Sequence, residues 1–178
     1  MKLLGRTTRD GLAVGLIAYC AVALFYAVFD ILAGRGALYT VNMLGRAVMR
    51  GVRDTGVLLF PTRLDVPALL WYNVFHLVAA LAIGLVVMHL VDHAERRPAR
   101  ATTVLFVLMT GFAVTVAAVG WLSTPIRPVL PWWSIVVANV LAVLTAAVYV
   151  VRRRPGIASR LLRGARASAV RSSVVSVR

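Results

Sequence analysis

Three histidines, His76, His89 and His93, are the side chains of this sequence best suited to ligate a metal or a haem, and they fall within one stretch. His89 and His93 stand four residues apart, with Asp92 and Glu95 beside them. On a helix that spacing turns both imidazoles to one side, a geometry that can hold a metal ion. No third or fourth ligand is evident in the other segments expected at the same membrane face. Histidines near a helix C-terminus are also favoured by the helix dipole. The pair is a weak metal candidate, and no metal is expected.

His76 raises a different chemistry. It lies inside an apolar run with Asn73, while Asp30 and Asn139 fall at similar estimated depth in two other apolar runs. Ionisable groups in hydrocarbon are costly and mark candidate functional sites by default. His76, Asn73, Asp30 and Asn139, with Tyr26 and Tyr72 as walls, can be drawn as a site for haem, quinone or another small apolar ligand, or as a proton path using Asp30. The competing reading is structural: a histidine hydrogen-bonded to Asn or Asp across helices is ordinary packing glue in membranes. That second reading is the expectation. Bis-histidine haem ligation takes residues from facing helices, whereas all three histidines lie on or just after a single run, so no cofactor is predicted.

Other chemistries lack their motifs. The chain has no CxxC, CxxCH, Gly-rich phosphate loop or GxSxG, which leaves redox-thiol, nucleotide and hydrolase activities without footing. The single cysteine, Cys20, sits mid-run behind Tyr19, so it forms no intramolecular disulfide and does not fit a lipoprotein cleavage site. The expectation is a protein that is not an enzyme.

The elements that must position these residues are four apolar runs, 11–33, 66–91, 102–122 and 132–151. Each is long enough to cross a hydrocarbon layer of ~30 Å at ~1.5 Å per residue. Hydrophobic residues make up 61% of the chain and charged residues 15%, a balance that excludes a soluble core. The fold class is therefore an all-α integral membrane protein, with four transmembrane helices in an antiparallel bundle over residues 1–151 and a basic tail, amphipathic or disordered, over 152–178. Lys2, Arg6 and Arg9 ahead of the first run resemble the n-region of a signal peptide, but the run is too long and lacks a small-x-small exit, so it reads as a retained anchor.

The net charge is +14, with 19 of the 20 basic residues arginine. Anionic headgroups and a positive-inside bias explain this with fewer assumptions than nucleic acid, which is not an expected partner. With the N-terminus inside, 14 Lys and Arg fall on the inner segments and six on the outer ones, which puts both termini in the cytoplasm of a cell in whose membrane, a bacterial inner membrane by expectation, the protein is multi-pass.

The outer loop, 34–65, carries its own pattern. Leu44, Val48 and Val52 recur at i+4, while Arg46, Arg50 and Arg53 line another face. This predicts a short interfacial helix with its aliphatic stripe in lipid and its arginines against headgroups or an acidic partner. Pro125, Pro128 and Pro131 force a tight hairpin between spans three and four, and Trp71, Tyr72, Trp121, Trp132 and Trp133 form an aromatic belt at that boundary. In the tail, Arg152, Arg153, Arg154, Arg160 and Arg163 are expected on anionic phospholipids or an acidic partner.

Each span also has a face of small and polar residues: Cys20, Ala23, Ala27 and Asp30; Asn73, His76, Ala80 and Gly84; Thr110, Ala113, Ala117 and Gly120; Asn139, Ala142 and Ala146. Membrane helices associate through such faces, so all four are expected to point inward. Small size, missing catalytic motifs and basic segments on both sides suggest a non-catalytic accessory subunit that stabilises a larger respiratory, photosynthetic or transport complex, with other integral membrane subunits and bound lipids as partners. A stand-alone haem- or quinone-binding protein built around His76 is the alternative, and a proton-coupled carrier the third.

Overall fold

The computed structural model describes residues 2–51, 63–128, 130–155 and 159. Five helices follow one another: α1 (Lys2–Leu32), α2 (Tyr39–Arg50), α3 (Val66–Arg96), α4 (Ala101–Leu122) and α5 (Trp132–Arg153), with single 3₁₀ turns at Pro98–Arg100 and Thr124–Ile126. Helices α1, α3, α4 and α5 are each long and apolar enough to cross a membrane. The chain is thus a multi-pass membrane protein, all-helical over its described residues. Four alternating spans put α2 and the α4–α5 hairpin at one end of the bundle, and the chain's beginning, the α3–α4 turn and the close of α5 at the other.

Helix α1 is the central element, packed against α3 on one side and α5 on the other. Its contact with α3 is made by glycines. A Cβ on Gly15 would stand 2.5 Å from the Ala80 carbonyl oxygen, and one on Gly84 would collide with that of Gly11. Gly11 and Gly15, four apart on α1, cross Gly84 and Ala80, four apart on α3, so the two backbones touch directly. In lipid, where no hydrophobic drive joins helices, this close approach supplies the van der Waals attraction that holds them.

The inward stripes differ from expectation in two helices. On α1 the packing face runs through Gly11, Val14 and Gly15, while Cys20 is exposed. On α4, Thr110, Ala113 and Ala117 are exposed and only Gly120 is buried, beneath the Trp132 ring. The reason is steric: the glycine seam seats α1 deep between α3 and α5, and α4 is left on the perimeter.

Helix α2 is a plug. Tyr39 and Met43, one turn apart, enter a buried cluster with Tyr26 of α1, Ile126 and Leu130 of the hairpin, and Ile135 and Ala138 of α5. The expected buried stripe is therefore rotated, with Leu44 only partly buried and Val48 47% exposed; Val52 lies outside the described residues. Gly45 allows α2 to rest on the Ala68 backbone at the start of α3, where an added Cβ would come within 2.8 Å of the Ala68 carbonyl oxygen. A second apolar cluster, Val14, Met88 and Val91 with Leu108, Ala146 and Tyr149 around it, fills the opposite end.

Candidate functional site

The polar residues of the spans do not gather into one site. They divide into a carboxylate centre beneath α2, an arginine centre at the far end, and a histidine between aromatic rings.

Asp30 is fully buried near the end of α1. Its Oδ2 accepts the backbone N–H of Thr40 at 2.6 Å and its Oδ1 accepts the Thr40 hydroxyl at 2.7 Å. Thr40 is in the first turn of α2, and Leu38, which precedes that helix, provides no side-chain cap. Asp30 therefore caps α2 from another helix, satisfying an orphan N–H and meeting the positive end of the helix dipole. Arg35 completes the centre: its guanidinium lies 3.4 Å from Asp30 Oδ1 and over the rings of Phe29 and Tyr39, 5.1 and 4.8 Å from their centroids.

A second tie fixes α2 to α3. Asn42, fully buried, accepts the Asp65 backbone N–H at 2.9 Å and donates to the Arg63 carbonyl at 3.2 Å. Asp65 caps α3 through the Ala68 N–H, and Arg50 donates to both its carboxylate oxygens, at 3.1 and 3.3 Å. The Arg50 hydrogen bonds, then the Ala68 N–H, hold the Asp65 carboxyl below the usual carboxylate range.

At the other end Arg154, just past α5, reaches Glu95 at 2.7 Å, Asp10 at 3.2 Å and Asp92 at 3.7 Å. It thereby joins α1, about two turns in from its start, to the closing turns of α3 and α5. Burial opposes its charge, but the hydrogen bonds to Glu95 and Asp10 outweigh this and strengthen its basicity. Arg96 adds a bond to Asp92 at 2.9 Å. Arg154, expected among headgroups, is thus one of the less exposed charged side chains of the protein, at 10%. Arg152 and Arg153 are exposed, with Arg153 stacked on Tyr149. Arg53, Arg160 and Arg163 lie outside the described residues.

His76 packs between Tyr19 of α1 and Tyr72 of its own helix, with centroid distances of 5.2 and 5.9 Å. Tyr19 donates to Asn73 Oδ1 at 3.0 Å, and Asn73 donates to Leu69 O on its own helix. Asn139 donates to Ile135 O, one turn back along α5. Of the four candidate residues, His76 and Asn73 are brought together around Tyr19, while Asp30 is committed to Thr40 and Arg35 and Asn139 to its own helix. No described residue hydrogen-bonds the His76 ring.

His89 and His93 share one wall of an apolar groove of about 570 Å³ with Leu85, Val86 and Leu90. His89 Nδ1 meets Leu85 O at 2.8 Å and His93 Nε2 faces the Arg100 guanidinium at 3.5 Å. Among the described residues no three His, Cys, Asp or Glu side chains converge as a metal site would require. The chain matches no known family model, no characterised protein and no solved structure.

Asp10, Thr40, Asn42 and Asp65 are the polar residues that sequence reasoning missed. Asp65 had a legible signal, an aspartate two residues before Pro67 at the head of an apolar run, which is a helix N-cap pattern. Asp10 had none, because its partner lies 144 residues away.

Proposed function

We propose that this protein is a non-catalytic subunit that packs, through α4, against other integral membrane subunits of a larger complex. The carrying observation is the exposed face of α4. Thr110, Gly111, Ala113 and Ala117 are uncovered along a helix whose small residues would admit a second helix as closely as Gly84 admits α1. The polar chemistry of the spans supports the same reading. Asp10, Asp30 and Glu95 are engaged in helix capping and ion pairs, which are structural duties.

The test is purification from native membranes in mild detergent. The wild-type chain should emerge in fixed ratio with larger membrane subunits, and Ala113→Leu with Ala117→Leu should release them while circular dichroism shows the chain still helical. A chain that purifies alone, or a double variant that keeps the same partners, removes the basis of this reading. The 14-to-six split of basic residues further supports cytoplasmic termini. Thiol labelling of Ala99→Cys from the cytoplasmic side and of Gly36→Cys from outside, in a Cys20→Ser background, checks this.

His76 supports a second reading, since its ring nitrogens bond no described residue and two tyrosines flank it. A haem or quinone held there should be lost from a folded His76→Gln variant, with its absorption band or extractable ligand.

A further inference from the structure

Where α2 meets the first turn of α3, the surface folds into an open cavity of about 410 Å³ lined by Arg46, Arg63, Leu64, Asp65, Val66 and Pro67. The carboxylate in its wall is already engaged. Asp65 receives both hydrogen bonds of Arg50 and caps Ala68. Arg46 and Arg63 form no ion pair with any described carboxylate, and with the Asp65 charge offset by Arg50, outside the lining, the cavity is left electropositive. The N-terminus of a 31-residue helix adds its positive dipole end to the same place.

From the rim of this cavity an apolar track runs down α3. Val66, Leu70 and Val74, spaced four apart, are 54%, 57% and 50% exposed, and they occupy the start of a helix apolar enough to span the membrane. Positive charge in a polar cleft with a continuous apolar track leading from it matches a molecule with an anionic head and a hydrocarbon body. Guanidinium groups bind phosphate oxygens in a two-point fork, with geometric as well as electrostatic selectivity.

The geometry points to a binding site for the phosphate group of one anionic phospholipid, held by Arg46 and Arg63, with an acyl chain along Val66, Leu70 and Val74. This site is separate from the α4 face and does not depend on the subunit reading. An acidic protein segment would use the arginines but leave the apolar track idle.

The experiment titrates the purified full chain in neutral detergent with short-chain phosphatidylglycerol and counts bound lipid by native mass spectrometry. The wild type should retain one molecule, and Arg46→Gln with Arg63→Gln should weaken retention roughly tenfold, the size expected for losing charge-assisted hydrogen bonds. Arg63→Gln alone should show part of the loss. Its side chain is exposed and only its backbone carbonyl is used by Asn42, so this variant keeps the fold. Arg97→Gln, at the other end, should bind as the wild type does. Phosphatidylcholine, with the same phosphate but no net charge, should bind more weakly. Displacement of phosphatidylglycerol by an equal concentration of inorganic phosphate would retain the phosphate chemistry but overturn the lipid as its source. Equal retention by the wild type and both folded arginine variants would overturn the site.

Discussion

The two ends of the bundle are held by charge of opposite sign, a fully buried carboxylate at one and a largely enclosed guanidinium at the other. Beneath α2, a carboxylate is surrounded by neutral donors and one arginine; at the far end, a guanidinium is surrounded by three carboxylates. Each bundle end gathers both starts and finishes of helices, so the choice follows from the local partner: the start of α2 for Asp30, and the finish of α5 for Arg154. α2 and α3 both begin at the first end, and their N-terminal N–H groups and positive dipole ends favour Asp30 and Asp65. α3 and α5 both finish at the second, where a cation is favoured. A carboxylate can be satisfied by a helix start alone, whereas a guanidinium has five donors and no acceptor and needs several anions brought to it. The Arg154 centre by itself therefore ties three helices, and the Asp30 centre by itself ties two.

This difference makes Arg154→Ala the most damaging charge substitution. Removing the cation leaves Asp10 and Glu95 facing one another without compensation, and the expected loss is about 3 kcal/mol in a detergent unfolding titration. A smaller loss than that of Asp30→Asn would reverse the ranking of the two ends.

Between the ends, Gly84→Leu tests whether the glycine seam is what aligns them. A side chain there meets the backbone of Gly11 and Gly15, so α1 and α3 must separate, at an expected cost of about 2 kcal/mol. Val86→Leu, exposed on the same helix, should leave the unfolding midpoint nearly unchanged. Equal midpoints for the two variants would show that the ends hold the bundle without the seam.

Asp30→Asn keeps an oxygen for the Thr40 N–H but loses the charge that faces Arg35. About 1 kcal/mol is expected, as for a weakened helix cap. The change should show first as faster hydrogen exchange at Thr40 and its neighbours in α2, with the Arg154 end still protected.

The mildest perturbation is acid. Because the folded-state pKa of Asp65 is depressed, its contribution is fully present above the unfolded carboxylate value of about 3.9 and disappears as pH falls through the lower folded value. As pH falls below the ordinary carboxylate range and through the depressed folded value, α2 should loosen from α3, as measured by hydrogen exchange, and Asp65→Asn should remove this dependence.

The spans and their antiparallel order were legible in the sequence, because twenty apolar residues in a row have few alternatives in lipid. The short helix after Gly36 was legible too, but its buried side was not. Periodicity chose Leu44 and Val48, whereas the bundle chose Tyr39 and Met43, since these reach the space above Tyr26 and Ile135. The polar stripe predicted a single cluster from depth alone. Depth says nothing about azimuth, and Asp30 and Asn139 turned to nearer partners, the start of α2 and their own helix backbone. Gly11 and Gly15 could have been read as a small-xxx-small pair; their position close to the basic start of the chain drew attention to charge instead.

The place of Arg154 along the chain has a further consequence for how the protein is made. Asp10 and Glu95 enter the membrane long before the residue that neutralises them is synthesised, and the three-helix tie cannot close until translation has passed the last span. Until then Asp10 and Glu95 lack the guanidinium that they share in the folded protein.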